Sequence, residues 1–123
     1  MGEMEAKYRA ARAYVMEAME EVEDELRAGA EAPGARTTQN ARLACTYGAS
    51  ACMEVVDLIH TTAGTSAMQM KSPLERKLRD AHGAATHRWV AHPLFTDLGA
   101  ILLGGDAGPE FAGTGGPGLG SKR

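Results

Sequence analysis

Aromatic side chains are scarce in this 123-residue chain, which has one Trp, three Tyr and two Phe. They are not spaced along a basic stripe, and 13 basic residues are outweighed by 16 acidic ones, for a net charge of −3. A nucleic-acid surface needs a basic stripe with stacking platforms, and this composition offers neither. Long apolar runs are also missing. Nothing approaches the roughly 18 consecutive apolar residues of a membrane-spanning helix, and no charged-then-apolar leader precedes the first amphipathic stretch. The expectation is a cytoplasmic protein with neither nucleic acid nor membrane as partner.

Cysteine is nearly absent. Cys45 and Cys52 are seven apart, which on a helix puts both thiols on one face about 10 Å apart by rise, too far to bridge. They read as small core side chains, with no partner residues for a redox or metal role. His82, His87 and His92 follow at intervals of five, about 140° apart on a continued helix, so they share no face and no metal site is predicted. Alternating apolar and polar residues, the mark of a half-buried strand, occur nowhere.

What is present is helical. Apolar residues at Met4, Tyr8, Ala11, Val15, Met19, Val22 and Leu26 form one stripe of a first helix from Glu3 to about Gly29, with Lys7, Arg9, Arg12 and a run of glutamates outside it. A second helix is expected from Thr37 or Thr38, as cap, to Ala63, closed by Gly64. Between Ala41 and Ile59 it carries only Arg42, Glu54 and Asp57 as charges, and Ala41, Ala44, Cys45, Gly48, Ala49, Ala51 and Cys52 are all small. A helix apolar nearly all round is covered on several sides, so another helix or subunit should cover this one. Ser72, Pro73 and Glu75 signal the start of a third helix reaching towards Val90. Pro93 interrupts it, and a short fourth runs from Leu94 to Leu103. Tyr8, Tyr14 and Tyr47 fall at core or interface positions. The fold class is therefore all-α, an antiparallel helical bundle over residues 3–103. Residues 104–123, half of them Gly or Pro, read as a flexible tail.

The stretch DLIHTTAGTSAMQMKSPLERKLRDAHGAATH, Asp57 to His87, resembles the C-terminal helical domain of the acyl-CoA dehydrogenase superfamily. In that family a buried helix ends in a glutamine-containing turn with paired glycines. A loop and then a helix bearing an Arg-Asp pair follow. Here His60 fills the glutamine position, Ala63 and Gly64 the glycines, and Arg79-Asp80 the pair. The resemblance implies a flavin cofactor, FMN or FAD, bound mostly by other domains or a neighbouring subunit, with His60, Ala63, Gly64 and Arg79 as cofactor contacts. The Arg79-Asp80 pair reads first as a tie between helices or subunits, with the cofactor contact at Arg79 as the minor reading. Trp89 is an interface anchor or a shield for the flavin site. Met68 and Met70 are candidates for a loop that lines a pocket.

Common acyl-CoA dehydrogenases place a catalytic glutamate nine residues after that arginine. Arg88 stands there, and no carboxylate occurs from His82 to Pro93. An arginine cannot abstract a proton next to a thioester. The segment is most similar to the branch of flavin-dependent monooxygenases that includes dibenzothiophene monooxygenase and phenol-type hydroxylases, where a histidine lies eight residues after the arginine. That position is His87, to which the resemblance assigns the catalytic role; an imidazole titrates in the range that suits proton transfer at neutral pH.

The expected function is the flavin-site and oligomerisation bundle of a two-component monooxygenase, inactive as an isolated chain. Its expected partners are copies of itself, as dimer or tetramer, or a subunit supplying the missing N-terminal and β-domains, together with a flavin reductase. Two alternatives remain open: a fragment or subunit of an acyl-CoA dehydrogenase, and a non-catalytic helical assembly module.

Overall fold

A computed structural model describes residues 1–65, 73–87 and 89–105. The element order is α1 (Gly2–Arg27), α2 (Ala35–Ala63), α3 (Pro73–Ala85) and α4 (Leu94–Leu102). Among the described residues there is no strand, and the all-α bundle expected from the periodicity is what forms. Ser72, Met68, Met70, Arg88 and all of the tail beyond Gly105 lie outside the described residues.

α1 and α2 are long antiparallel partners, of 26 and 29 residues. Their seam is built from small side chains: Ala11, Ala18, Ala44 and Ala51 are at most 2% exposed. At Gly48 a Cβ would sit 3.1 Å from a Val15 methyl carbon, so the backbones approach as closely as these residues allow. Thr46 is fully buried and returns its hydroxyl to the Arg42 carbonyl of its own helix at 2.9 Å, so that hydroxyl is not left unpaired.

α2 packs against each of the other three helices, and among the described residues none of those three packs against another. α3 lies beside the C-terminal part of α2, where His82 Nε2 meets Asp57 Oδ1 at 3.0 Å. α4 covers the N-terminal part, its buried Leu94 and Leu98 resting against Leu43. The large side chains are mostly left outside. Tyr8, Met16, Leu26, Tyr47, Ile59, Trp89, Leu102 and Leu103 are all exposed.

Several boundaries differ from the periodicity. α2 starts at Ala35, with Gly34 as cap and no capping side chain of its own. Thr37 is drawn instead to α1, donating its hydroxyl to Glu25, whose other carboxylate oxygen accepts the Gly34 N–H at 2.6 Å. Glu25 thus does from across the hairpin what a capping threonine would do locally, and its negative charge sits at the positive end of α2. α3 stops at Ala85 rather than continuing towards Val90. Thr86 turns its hydroxyl back to the Gly83 carbonyl at 2.8 Å, and the His87 N–H reaches the Ala84 carbonyl in a tighter turn. α1 ends at Arg27 with Gly29 at φ 95°, and α4 at Leu102 with Gly104 at φ 84°, a conformation that favours glycine. Cys45 is half-buried but Cys52 is exposed, so Cys52 is not a core residue. Both thiols are free.

Two expectations follow. Ala44→Leu has no space to enter and lowers the unfolding free energy by about 1–3 kcal/mol, read from urea denaturation. The Glu25 carboxyl is held below its ordinary value of 4.5 by the Thr37 hydroxyl first and the Gly34 N–H second. A depressed carboxyl contributes stability that is present above the unfolded value and is lost as pH falls through the folded one. Thermal midpoints of Glu25→Gln should therefore fall less than those of the native chain as pH drops below about 4.5; parallel acid curves would remove Glu25 from the linkage.

Candidate functional site

The turn after α3 carries His87. It is exposed, just beyond the helix end, and its Nδ1 accepts the Trp89 backbone N–H at 3.4 Å. Its carbonyl accepts the Val90 N–H at 2.9 Å. Because α3 has ended, the helical angle between His82 and His87 no longer applies. His82 is engaged with Asp57 on α2, whereas His87 sits in an irregular turn.

Over this turn lies a residue that sequence reading passed by. The Arg42 guanidinium stands 4.7 Å from the centroid of the Trp89 ring, within cation–π range. Burial pushes the Arg42 guanidinium below its ordinary value, though an arginine stays charged in proteins. Arg42 is one of only three charges in the apolar stretch of α2, a signal that could have marked it, but its partner is brought in from far along the chain.

His60, Ala63 and Gly64 form a second group at the C-terminal end of α2. His60 is half-buried and its Nε2 is shielded from solvent with no hydrogen-bond partner among the described residues. Gly64 takes φ 63°, ψ −150°, its N–H reaching back to the Thr61 carbonyl, with open space where a Cβ would be. A buried ring nitrogen and an open glycine suit one edge of a polar ligand. They do not make an enclosing pocket, so the residues present fit a peripheral contact to a flavin and not its whole site.

Arg79 and Asp80 do not behave as a tie between helices. Arg79 pairs with the half-buried Glu75 at 3.0 Å and Asp80 with the exposed Arg76 at 3.8 Å, each partner one turn away along α3. Among the described residues neither reaches another helix. Consecutive residues on a helix point about 100° apart, and each finds its own partner along the axis. Glu75 lies in the first turn of α3, which begins at Pro73 as its start signal predicts, and it also pairs with Arg79.

The candidates are not brought together. Trp89, two residues past His87, touches Arg42 in the N-terminal third of α2, and His82, five residues before His87, touches Asp57, seven residues short of Gly64. Among the described residues no hydrogen bond or ion pair joins His87 to the His60–Gly64 group. An open cleft of about 600 Å³ lies elsewhere, between α1, α2 and α4, lined by Glu21, Glu25, Asn40, Leu43, Leu98 and Leu102, and holds none of the predicted site residues. Asn40 accepts the Tyr14 hydroxyl at 2.8 Å and donates to Glu21 at 2.9 Å beside it. Burial, then the nearby Glu21 and Glu17 carboxylates, raise the Tyr14 hydroxyl above its ordinary value, so it stays a donor. No group of three or more His, Cys, Asp or Glu side chains gathers as a metal site among the described residues, and none of their helices is long and apolar enough to cross a membrane.

Comparison with known proteins adds a family. Residues 1–92 match the acyl-CoA dehydrogenase C-terminal domain. Over 107 residues, 87% of the chain, the sequence is 27% identical to an indole-3-acetate monooxygenase of Acinetobacter baumannii and 28% identical to one of Pseudomonas putida. The chain spans 27% of the length of each of these relatives. No solved structure matches it significantly.

A shielded, unpartnered nitrogen costs the fold about 1–3 kcal/mol. His60→Leu is accordingly expected to raise the unfolding free energy of the free chain, by roughly 1 kcal/mol in urea titration. A fall would mean that the ring already has a partner in solution.

Proposed function

Since this chain belongs to the acyl-CoA dehydrogenase family through its C-terminal domain, we propose that it is the flavin-site and oligomerisation bundle of a two-component flavin-dependent monooxygenase. The observation that carries this reading is the similarity to two indole-3-acetate monooxygenases. A stretch of 107 residues in a chain of 123 necessarily includes His87. The lack of any carboxylate between His82 and Pro93 argues against dehydrogenase chemistry based in this segment. The substrate class is a small aromatic compound like the one named for the relatives.

A flavin, FMN or FAD, supplies the redox chemistry with oxygen when bound. This chain's own share is positional. His87 holds or delivers a proton beside the reacting centre, its exposed ring open to a ligand carried by other parts of the assembly. His60 Nε2 and the open Gly64 contact the polar portion of a flavin held mainly by a neighbouring subunit, with Ala63 allowing close approach and Arg79 as a further charged contact at the rim. The two groups lie on different elements, His87 in the turn after α3 and His60–Gly64 at the end of α2, which suits a chain that contributes to more than one site in an oligomer. Exposed Tyr8, Tyr47, Ile59 and Trp89 supply apolar surface for that association as a dimer or tetramer.

The segments that complete the pocket lie outside these 123 residues, on the same polypeptide or on a partner, and a separate reductase supplies reduced flavin. The isolated bundle is inactive and works in the cytoplasm. A second reading, a helical assembly module without catalysis, is favoured by the same exposed apolar side chains.

The test is a flavin titration of the chain alone and with the segments that complete the fold. Binding only in the completed assembly supports the reading, and no binding in either overturns it. In that assembly His87→Gln is expected to lower product formation about 100-fold, in the range of a lost general acid or base, with flavin reduction unchanged. Unaltered product formation would take His87 out of the reaction.

A further inference from the structure

We propose that Arg42 is a positioning residue for His87, acting through the ring of Trp89. The inference rests on the reading of His87 as the proton-handling residue. α3 ends at Ala85, so the segment that carries His87 has no helical ladder to hold it. Its ties are turn contacts: the His87 N–H reaches the Ala84 carbonyl at 3.2 Å, the Val90 N–H reaches the His87 carbonyl at 2.9 Å, and the Trp89 N–H reaches His87 Nδ1 at 3.4 Å, longer than an ordinary hydrogen bond. Arg42 adds a hold from the helical side: it sits two turns inside α2, and its guanidinium lies 4.7 Å from the Trp89 ring centre. The links run in series, from α2 to the indole, from the indole to the turn, and from the turn to the imidazole.

This series sets chemistry as well as place. A neutral imidazole carries one N–H and one bare acceptor nitrogen. With Nδ1 accepting the Trp89 N–H, the proton resides on Nε2, and His87 presents a donor to whatever approaches its exposed edge. Protonation puts hydrogen on both ring nitrogens, and Nδ1 can then no longer accept. The Trp89 amide is therefore coupled to the protonation state of His87 for as long as the clasp holds. The fit is particular to arginine, whose planar, weakly hydrated guanidinium stacks on an indole face; lysine supplies the charge without the plane.

The test is an NMR pH titration of the full 123-residue chain, following the His87 ring nitrogens and the residue 89 amide. In the native chain the amide shift tracks the His87 titration, and the neutral ring reports its proton on Nε2. Arg42→Met keeps the bulk and removes the charge; it abolishes the tracking and lowers hydrogen-exchange protection of the amide about two- to fivefold, the range of an exposed cation–π contact. Arg42→Lys recovers part of both. Trp89→Leu retains the N–H while removing the ring of a side chain that is 42% exposed, and it produces the same loss. The double variant loses no more than either single one, since both break one link.

Tracking that survives Arg42→Met, or losses that add in the double variant, overturns the proposal. If Arg42→Met lowers helix content, Trp89→Leu decides alone. The His82 ring, held at Asp57, is the folding control and stays unchanged throughout. None of these readouts needs flavin or substrate. A failed clasp therefore leaves the role of His87 standing, and an inactive role for His87 leaves the clasp standing.

Discussion

The close approach of α1 and α2 is the constraint on which the rest of this bundle depends. It is made by removing side-chain volume: alanines at 11, 18, 44 and 51 and a glycine at 48, where a single added carbon would meet Val15 at 3.1 Å. Small residues let dispersion contacts accumulate along many backbone atoms although each side chain buries little area. They also spend the interior on residues with little hydrophobic surface. The large apolar side chains are consequently displaced to the periphery, where Leu94 and Leu98 of α4 make the one patch of buried large residues among those described. A chain of this size has little core to spare. The apolar exterior and the alanine-rich seam are two sides of one allocation.

Polar contacts give that seam its register. Lys7 meets Glu54 near one end, Tyr14 and Glu21 both meet Asn40, and Glu25 closes the other end on Gly34 and Thr37. Most of these pairs are partly solvated and contribute little stability singly. Their effect is directional, since a slip of one residue would rotate every alanine of α2 by about 100° out of the seam. The Glu54 carboxylate also holds the Lys7 ammonium above its ordinary value, an additional sign that the pair is aligned.

How much of this was legible in the sequence varies with the range of the interaction. The four helices and their order follow from local periodicity, and the stops at Gly29, Gly64 and Gly104 from the chemistry of a positive φ. The start of α2 was misplaced because Thr37 looks like a cap, while its actual partner is Glu25, twelve residues back and on another helix. The end of α3 was overrun because Ala84, Ala85 and Val90 continue an apolar pattern. The turn is made by a hydroxyl returning to a carbonyl three residues earlier, which periodicity does not register. For the site, the candidate residues could be named but not assembled. Only the folded chain reveals that no hydrogen bond or ion pair among the described residues joins His87 to the His60–Gly64 turn, and that Arg42 rather than any candidate residue stands over Trp89. The paired Arg79 and Asp80 look like a unit in sequence and act as two separate ion pairs in space.

The star-like connectivity around α2 bears on how the molecule comes apart. Among the described residues α3 and α4 each pack on α2 and not on one another or on α1. A helix held through a single neighbour can detach without breaking a contact between any other two. The bundle is thus divided into an α1–α2 unit and two appendages that open separately, with free energies below that of global unfolding. The turn bearing His87 joins those two appendages. It is suspended between the least independent parts of the fold, where a protein partner arriving on the exposed apolar surface would have the most order to confer.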